Sequence, residues 1–397
     1  MKKTIKKILN GFGIEVRRYS RPDFDDRVAS IRPDISNNGC VLLAYILAPF
    51  ISDNNDRISN THTHYWESYQ IAKTFLELGY TVDVIDYRNS GFIPQKNYDY
   101  FISARTNFQN LAKSLSSDCI KIAHLDTAHW LFNNTAAYKR TLELQERRGI
   151  TLPSLKIIEQ NFAIEYADCA TILGNEFTKS TYLYANKPIY PIPISACTTY
   201  PWPEDKDFMK SRFNYLWFGS HGLVHKGLDI VLEAFLEMPE CNLFICGPIN
   251  DELDFKKAYH NELYKTDNIH TIGWVDIEGN KFKAILKKCI GIVYPSCSEG
   301  GGGSVVQCMH AGLIPIVSYE SSVNVDNFGI MLKGTSIAEI KNSVKTMTKT
   351  PVEKLKQKSR RTWEYARKHH TRDQFAIVYR DFIKKIIKES PKNNFAV

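Results

Sequence analysis

Residues 289–318 read CIGIVYPSCSEGGGGSVVQCMHAGLIPIVS, and their order of residue types dictates strand, loop, helix, strand. Ile290 to Tyr294 form a short apolar run, the mark of a buried strand, and Pro295 ends it. The loop that follows carries one acid, Glu299, and four consecutive glycines, Gly300, Gly301, Gly302 and Gly303. Ser304 is placed to cap the next helix, to which Val305, Val306 and Met309 give an apolar face. Gly312 stops that helix, and residues 313–317 form the next buried run. Four glycines clear the side chains from above the loop backbone. They leave amide N–H groups at a helix N-terminus, where the dipole favours an anion such as phosphate. The competing reading is a flexible surface turn. The position of the glycines, between a strand end and a helix start, is where ligands bind in α/β sheets.

The same strand–helix alternation runs outward in both directions. Upstream, the pattern predicts strands over 215–218, 243–246 and 269–273, with helices over 228–238, 252–265 and 282–288 between them. The first turn of this half reads FGSHGLVHKGLDIVLEAF from Phe218 to Phe235. Gly219 and Gly222 permit a tight turn around Ser220 and His221. Lys226 stands just before the helix, at the sheet edge expected for Glu299, where it can neutralise a diphosphate as a point charge.

Between residues 187 and 204 stand Pro188, Pro191, Pro193, Pro201 and Pro203. Proline fixes φ and lacks a donor, so this segment is an extended connector that splits the chain near its middle. The expected division is a first domain over 1–195, a second over 196–370, and a terminal helix over 371–397. Thr371 and Gln374 form a capping-box pattern for that helix, whose apolar face (Phe375, Val378, Tyr379, Phe382, Ile386) needs a partner.

The first half has its own alternation, with strands predicted over 40–47, 80–87, 98–103, 120–123 and 169–173. Helices are predicted over 64–78, 107–115, 136–147 and 154–167, with another after Asn175. The first turn lacks GxGxxG, which argues against a dinucleotide here. Two polar groups follow strand ends: His62, His64, Trp66 and Glu67 after the first strand, and His124, Asp126 and His129 after the fourth. A histidine at such a strand end faces the ligand crevice and can position a hydroxyl. The alternative is a core histidine bonded to a carbonyl. His62 and His64 are an HxH pair, but no second cluster has metal-ligand spacing, so no metal is assigned and these residues read as acceptor-side contacts or loop.

A chain of 397 residues, 43% of them hydrophobic, can bury a sizeable core, and the usual domain size suggests about two or three domains. Its nine cysteines show no CxxC spacing, which favours a reducing cytoplasm. No stretch is long and apolar enough to span a bilayer, and the N-terminus does not read as a signal peptide. Residues 1–21 carry Lys2, Lys3, Lys6, Lys7, Arg17, Arg18 and Arg21 against Glu15 alone, with Ile5, Ile8 and Leu9 on one helical stripe. Such an arm can lie on an anionic membrane surface, or be a solvated terminus. The net charge of +8 is modest, and no nucleic-acid partner is assigned. Asp23-Phe24-Asp25 fits a DxD pattern but precedes the first strand, so it reads as a surface turn.

The segments FGSHGLVHKGLDIVLEAF and SEGGGGSVVQCMHAGLIPIVS together resemble the retaining GT-B glycosyltransferases of the GT4 (glycosyl transferases group 1) family over residues 215–326. The resemblance implies an α/β fold of two Rossmann-like, doubly wound parallel-sheet domains facing across a cleft, the last helix crossing back onto the first domain. It implies a nucleotide-sugar donor held by the second domain and a glycan or lipid-linked acceptor, with no cofactor and no metal. Glu299 matches the first acid of the family's E-x7-E motif and would contact donor-sugar hydroxyls. The glycines and Ser304 would meet the sugar and diphosphate, Lys226 the diphosphate, and His124 the region of the reacting carbon. Two positions depart from the pattern. Gln307 stands where the second, ribose-binding acid is expected. Ser220 and His221 occupy the turn where the family places a basic residue, which His221 or His225 could replace. Losing one charge-assisted bond to phosphate is worth about 1.5–3 kcal/mol, enough to slow an enzyme without abolishing it.

The expectation is therefore a cytoplasmic glycosyltransferase at the inner face of the cell membrane, working in cell-surface polysaccharide synthesis. The alternatives are a catalytically weak or inactive GT-B partner, a nucleotide-sugar epimerase or hydrolase on the same fold, and a metal-dependent hydrolase using His62 and His64.

Overall fold

The computed structural model describes residues 25–34, 37–51 and 58–389. The basic arm over 1–21 and most of the DxD turn lie outside them. Asp25 itself is tied to Arg27 through its guanidinium, 2.7 Å away.

The first domain is a seven-stranded sheet in the order β1-β3-β2-β4-β5-β6-β7. Its strands are β1 (Ala29–Ile31), β2 (Cys40–Tyr45), β3 (Thr81–Asp86), β4 (Tyr100–Ser103), β5 (Ile120–Leu125), β6 (Cys169–Ile172) and β7 (Ile189–Pro191). Only β1 is antiparallel, along β3. Parallel strands covered on both faces must be apolar throughout, and β2 to β6 are almost entirely buried. The second domain is a six-stranded, wholly parallel sheet in the order β10-β9-β8-β11-β12-β13. It comprises β8 (Asn214–Phe218), β9 (Asn242–Cys246), β10 (Ile269–Gly273), β11 (Gly291–Tyr294), β12 (Ile314–Ser318) and β13 (Ile330–Leu332). The strand order reverses between β8 and β11 in this sheet, and between β2 and β4 in the first. At such switch points the crossover helices leave to opposite faces and open a crevice at the carboxyl ends.

Four expectations are corrected. The helix over 154–167 shrinks to Ala163–Tyr166. The amides of Asn133 and Asn134 instead bind the backbone of Lys156 and Ile158, at 2.7–2.9 Å, and hold the segment extended. The helix over 252–265 breaks at Tyr259 into Leu253–Ala258 and His260–Tyr264. Part of the proline-rich connector is β7, an edge strand where a missing N–H costs little. The helix expected from residue 136 begins at Trp130.

The terminal helix Arg372–Glu389 lies on the first domain's helix Thr63–Glu77, with Phe375 edge-on to Trp66 at 5.5 Å. Phe382 meets Tyr190 of β7 at 5.0 Å. The two domains are thus joined by the connector and by this returning helix. The helix Trp130–Arg148 adds a third tie, since Arg147 pairs with Asp229 and Glu233, and Arg148 with Glu262. No described helix is long and apolar enough to cross a membrane.

Candidate active site at the interdomain crevice

The second domain's crevice is built from two turns that lock into one another. After β8 the chain runs through Gly219, Ser220, His221 and Gly222 to Lys226, whose N–H donates to the carbonyl of Gly222 at 2.9 Å. The Trp217 indole N–H donates to the Lys226 carbonyl at 3.2 Å and fixes its backbone. The buried Lys226 side chain then reaches the loop after β11, with Nζ 2.9 Å from the Tyr294 hydroxyl and 2.6 Å from Glu299 Oε1. Tyr294 Oη and Ser296 Oγ donate to the same Oε1 at 2.8 and 2.9 Å. One carboxylate oxygen is thus saturated by three donors, and none of these bonds uses Oε2. Burial alone would raise the Glu299 pKa, but the Lys226 charge, the His225 ring and the hydrogen bonds outweigh it and hold it at about 2.

His225 and His221 take different places. The His225 ring is buried, its Nε2 donates to the Ser298 carbonyl at 2.6 Å, and Cys297 Sγ lies 3.5 Å from Nδ1. Burial depresses its pKa to about 4, so it is a neutral rivet between the two turns, not a phosphate cation. His221 is exposed and pairs with Asp251 at 3.1 Å. A cavity of about 230 Å³ flanks Gly222, between residues 152–155 of the first domain and 251–255 of the second.

The four glycines divide their work. A Cβ on Gly300 would collide with the backbone of Asp126 and Thr127, and one on Gly301 with Ile194. What stands over these two glycines is the first domain itself, which corrects the expectation that all four clear room for a ligand. Gly302 lies against Ser321 and Val323, while Gly303 faces open space. The Gly303 N–H turns back to the Gly301 carbonyl at 2.8 Å, and the helix Gly303–Met309 starts two residues earlier than expected. Ser304 is therefore inside the helix and does not cap it; the cap position is Gly302, with no side-chain cap. Gln307 is buried, and its amide binds both backbone groups of Thr198 in the connector, at 3.2 and 2.8 Å.

Across the crevice, β5 runs two residues further than expected and carries His124 inside the sheet. Its Nδ1 lies 2.8 Å from Thr171 Oγ1 on β6, and its Nε2 has no partner among the described residues. Burial lowers its pKa to about 4, so the imidazole is neutral. Beyond it, Arg105 clamps Asp126 with Nε at 2.9–3.0 Å and Nη2 at 2.7 Å. Arg105 holds φ of +69°, a conformation uncommon outside glycine that is tolerated at the end of β4 because this clamp over-determines it. His64 Nε2 stands 3.5 Å from Asp126 and 4.0 Å from the buried Glu67, whose pKa burial raises to about 7.

His124 and His64 are therefore brought together against the Tyr45 ring, with Asp126 beside His64 and its backbone over Gly300. Two other candidates, His129 and Trp66, are not part of this cluster, whereas the His62 ring lies 4.0 Å from the His64 ring and belongs to it. His62 caps the helix Thr63–Glu77, its Nδ1 accepting from the His64 N–H at 3.2 Å. His129 caps Trp130–Arg148 and bonds Tyr184. Trp66 is covered by Phe375 and by the Arg372 guanidinium, 5.3 Å above its ring. Among the described residues no group of three His, Cys, Asp or Glu side chains converges on a metal site. Sequence reasoning missed Tyr294, Arg105 and Lys156 at the crevice. Tyr294 had a signal, as the polar end of an apolar strand; the other two had none.

Comparison with known proteins agrees with this architecture. The family model for glycosyl transferases group 1 matches residues 206–369, the second domain. Sucrose-phosphate synthase of Thermosynechococcus elongatus aligns with a TM-score of 0.61 at 12% identity, over 89% of this chain and 100% of its own. HepE of Anabaena, solved with UDP and glucose, aligns with a TM-score of 0.55 at 12% identity, over 88% and 99%. TarM of S. aureus, solved as a mutant with UDP and alpha-GlcNAc-glycerol, aligns at 0.50 and 11%, over 70% of this chain; the chain spans about half of TarM's length. The fold is that of GT-B glycosyltransferases, with two parallel-sheet domains across a crevice. No curated protein sequence matches the chain.

Proposed function

We propose that the protein is a glycosyltransferase that moves a sugar from a nucleoside-diphosphate sugar to a glycan or lipid-linked acceptor, with retention of configuration, as a member of the GT4 family. The observation that carries this reading is the Lys226–Glu299 pair at the switch point between β8 and β11. Lys226 is a fixed cation that meets the charge developing on a leaving diphosphate. Glu299 is pinned through Oε1 and offers Oε2 to a donor-sugar hydroxyl. Gly303 is the one glycine of the four with open space beside it, while its own N–H is given to the Gly301 carbonyl. His124, whose neutral Nε2 is buried without a partner among the described residues, stands in the opposite wall and is assigned to the region of the reacting carbon. The acceptor proton passes to a donor phosphate oxygen, and Asp126, the carboxylate beside His64, is engaged by Arg105. UDP is the first nucleotide to test, because HepE and TarM were both solved with it. Peripheral membrane contact through the basic arm is part of the proposal. Deleting residues 1–21 should lower membrane recovery, and unchanged recovery removes that part.

A second reading, a GT-B partner that binds without turnover, is favoured by Gln307, whose amide is bonded to both backbone groups of Thr198. One assay separates the readings. Purified protein is given UDP-sugars with and without extracted lipid and glycan acceptors; UDP release is followed, and the product's anomeric proton is read by NMR. Acceptor-dependent release with the donor's anomeric configuration kept supports transfer. Equal release without acceptor supports a hydrolase, an altered sugar on UDP an epimerase, and binding without release the inactive partner.

A further inference from the structure

Lys156 belongs to the first domain, yet its side chain lies on the second domain's phosphate turn. The segment around it is extended, with Leu155 and Ile157 turned outward and Lys156 and Ile158 turned inward. Asn133 takes the Lys156 carbonyl at 2.7 Å, and Asn134 takes both backbone groups of Ile158 at 2.8–2.9 Å. The Lys156 backbone is thus held at a fixed height above the helix Trp130–Arg148. Its stem crosses Gly222 so closely that a Cβ there would collide with Lys156 Cγ. Gly222, at φ +88°, is the residue whose carbonyl receives the Lys226 N–H. The two lysines therefore stand over one turn, contributed by different domains.

The charges around them do not balance. Arg105 is matched by Asp126, and Lys226 by Glu299. Glu252 is committed to the amides of Gly222 and Leu223. Lys156 has no hydrogen bond or ion pair from its ammonium among the described residues. Its pKa falls to about 8, chiefly because of the Lys226 charge and then burial, with Arg105 adding to the effect and Glu299 and Glu252 opposing it. An ammonium held beside a second cation without its own acid is stabilised by an anion in the space between them.

We propose that Lys156 is a second diphosphate-binding cation, so that the donor site is completed by the first domain and gains this charge only while the two domains are closed. The inference rests on the proposed donor site and extends it. It replaces the turn cation expected near Ser220 and His221 with one supplied across the crevice.

The test is isothermal titration of the full chain with UDP and UMP at pH 8, in two buffers of different ionisation enthalpy, followed by GDP, ADP and CDP should UDP not bind. Lys156→Gln should weaken diphosphate binding by about tenfold to a hundredfold, the range of one charge-assisted bond, and change monophosphate binding less. Binding to the wild type should take up as much as about half a proton at pH 8 as Lys156 regains its charge. Lys156→Arg should keep the affinity and lose the proton uptake, which a purely structural role would not produce. Wild-type affinity in Lys156→Gln, beside weakened binding in Lys226→Ala, would overturn the inference and leave the donor site standing. Absence of nucleoside-diphosphate binding in the wild type would overturn both.

Discussion

Replacing Glu299 with glutamine isolates the charge at the centre of the site, and its cost depends on pH in a way the geometry fixes. The carboxyl titrates at about 2 against an ordinary value of 4.5. A depression of two to three units corresponds to about 3 kcal/mol of folding stability. Because the folded value is the lower one, this stability is fully present above pH 4.5 and is lost as the pH falls through about 2. Glu299→Gln should therefore be less stable than wild type by about 3 kcal/mol at pH 7. The gap should narrow below pH 4 and close near pH 2, where the wild-type carboxyl is neutral as well. The assay is urea unfolding at pH 7, 5, 4 and 3, followed by indole fluorescence; Trp217, buried and bonded to the Lys226 carbonyl, reports on this turn. Other carboxylates titrate alike in both proteins and cancel in the difference. A gap that stays constant from pH 7 to pH 3, or no gap at pH 7, would refute the reasoning.

Glu67 behaves in the opposite sense, because burial raises its folded value to about 7. Its favourable proton is fully present below pH 4.5 and is lost as the pH rises through 7, so Glu67→Gln should match wild type at pH 4 and exceed its stability at pH 8 by as much as about 3 kcal/mol; equal stability at both pH values contradicts this. Gly300→Ala should push the glycine loop off the backbone of Asp126 and Thr127, costing about 1–3 kcal/mol of domain docking. A larger radius of gyration in solution scattering, with unchanged helical content, is the expected reading. Gln307→Glu replaces a donor to the Thr198 carbonyl with a carboxylate and should cost about 1–3 kcal/mol in thermal unfolding; an unchanged Tm would mean that the amide is not held as described.

The second domain was legible in the sequence because its chemistry is local. Gly222, Lys226, Glu299 and Gly303 all stand in the turns that directly follow β8 and β11, and apolar runs mark the ends of those strands. The first domain was legible in rhythm, but its site was not. Asp126 is positioned by Arg105, a residue 21 positions away whose left-handed backbone no local pattern announces. The segment 154–162 has helix-forming composition, yet two asparagine side chains on a neighbouring helix capture its backbone. Tertiary hydrogen bonds there override propensity. The same capture aims Lys156 at the crevice, so the error in secondary structure and the missed site residue share one cause. Ser304 reads as a cap from residue type, whereas the backbone turn at Gly301 to Gly303 starts the helix before it. Glycine runs suggest open space over a loop, and only the packed domains show that Gly300 and Gly301 are filled from the other side.

The central claim, that the Lys226–Glu299 turn holds a nucleoside-diphosphate sugar, is tested most directly by thermal unfolding with UDP, GDP, ADP, CMP and their sugar conjugates. Ligand at about a hundred times its Kd adds about 2.7 kcal/mol and raises the Tm. The account predicts a rise with one nucleoside diphosphate, reduced in Lys226→Ala, and a further rise with its sugar conjugate that Glu299→Ala removes. No rise with any of these ligands in well-folded protein would contradict it.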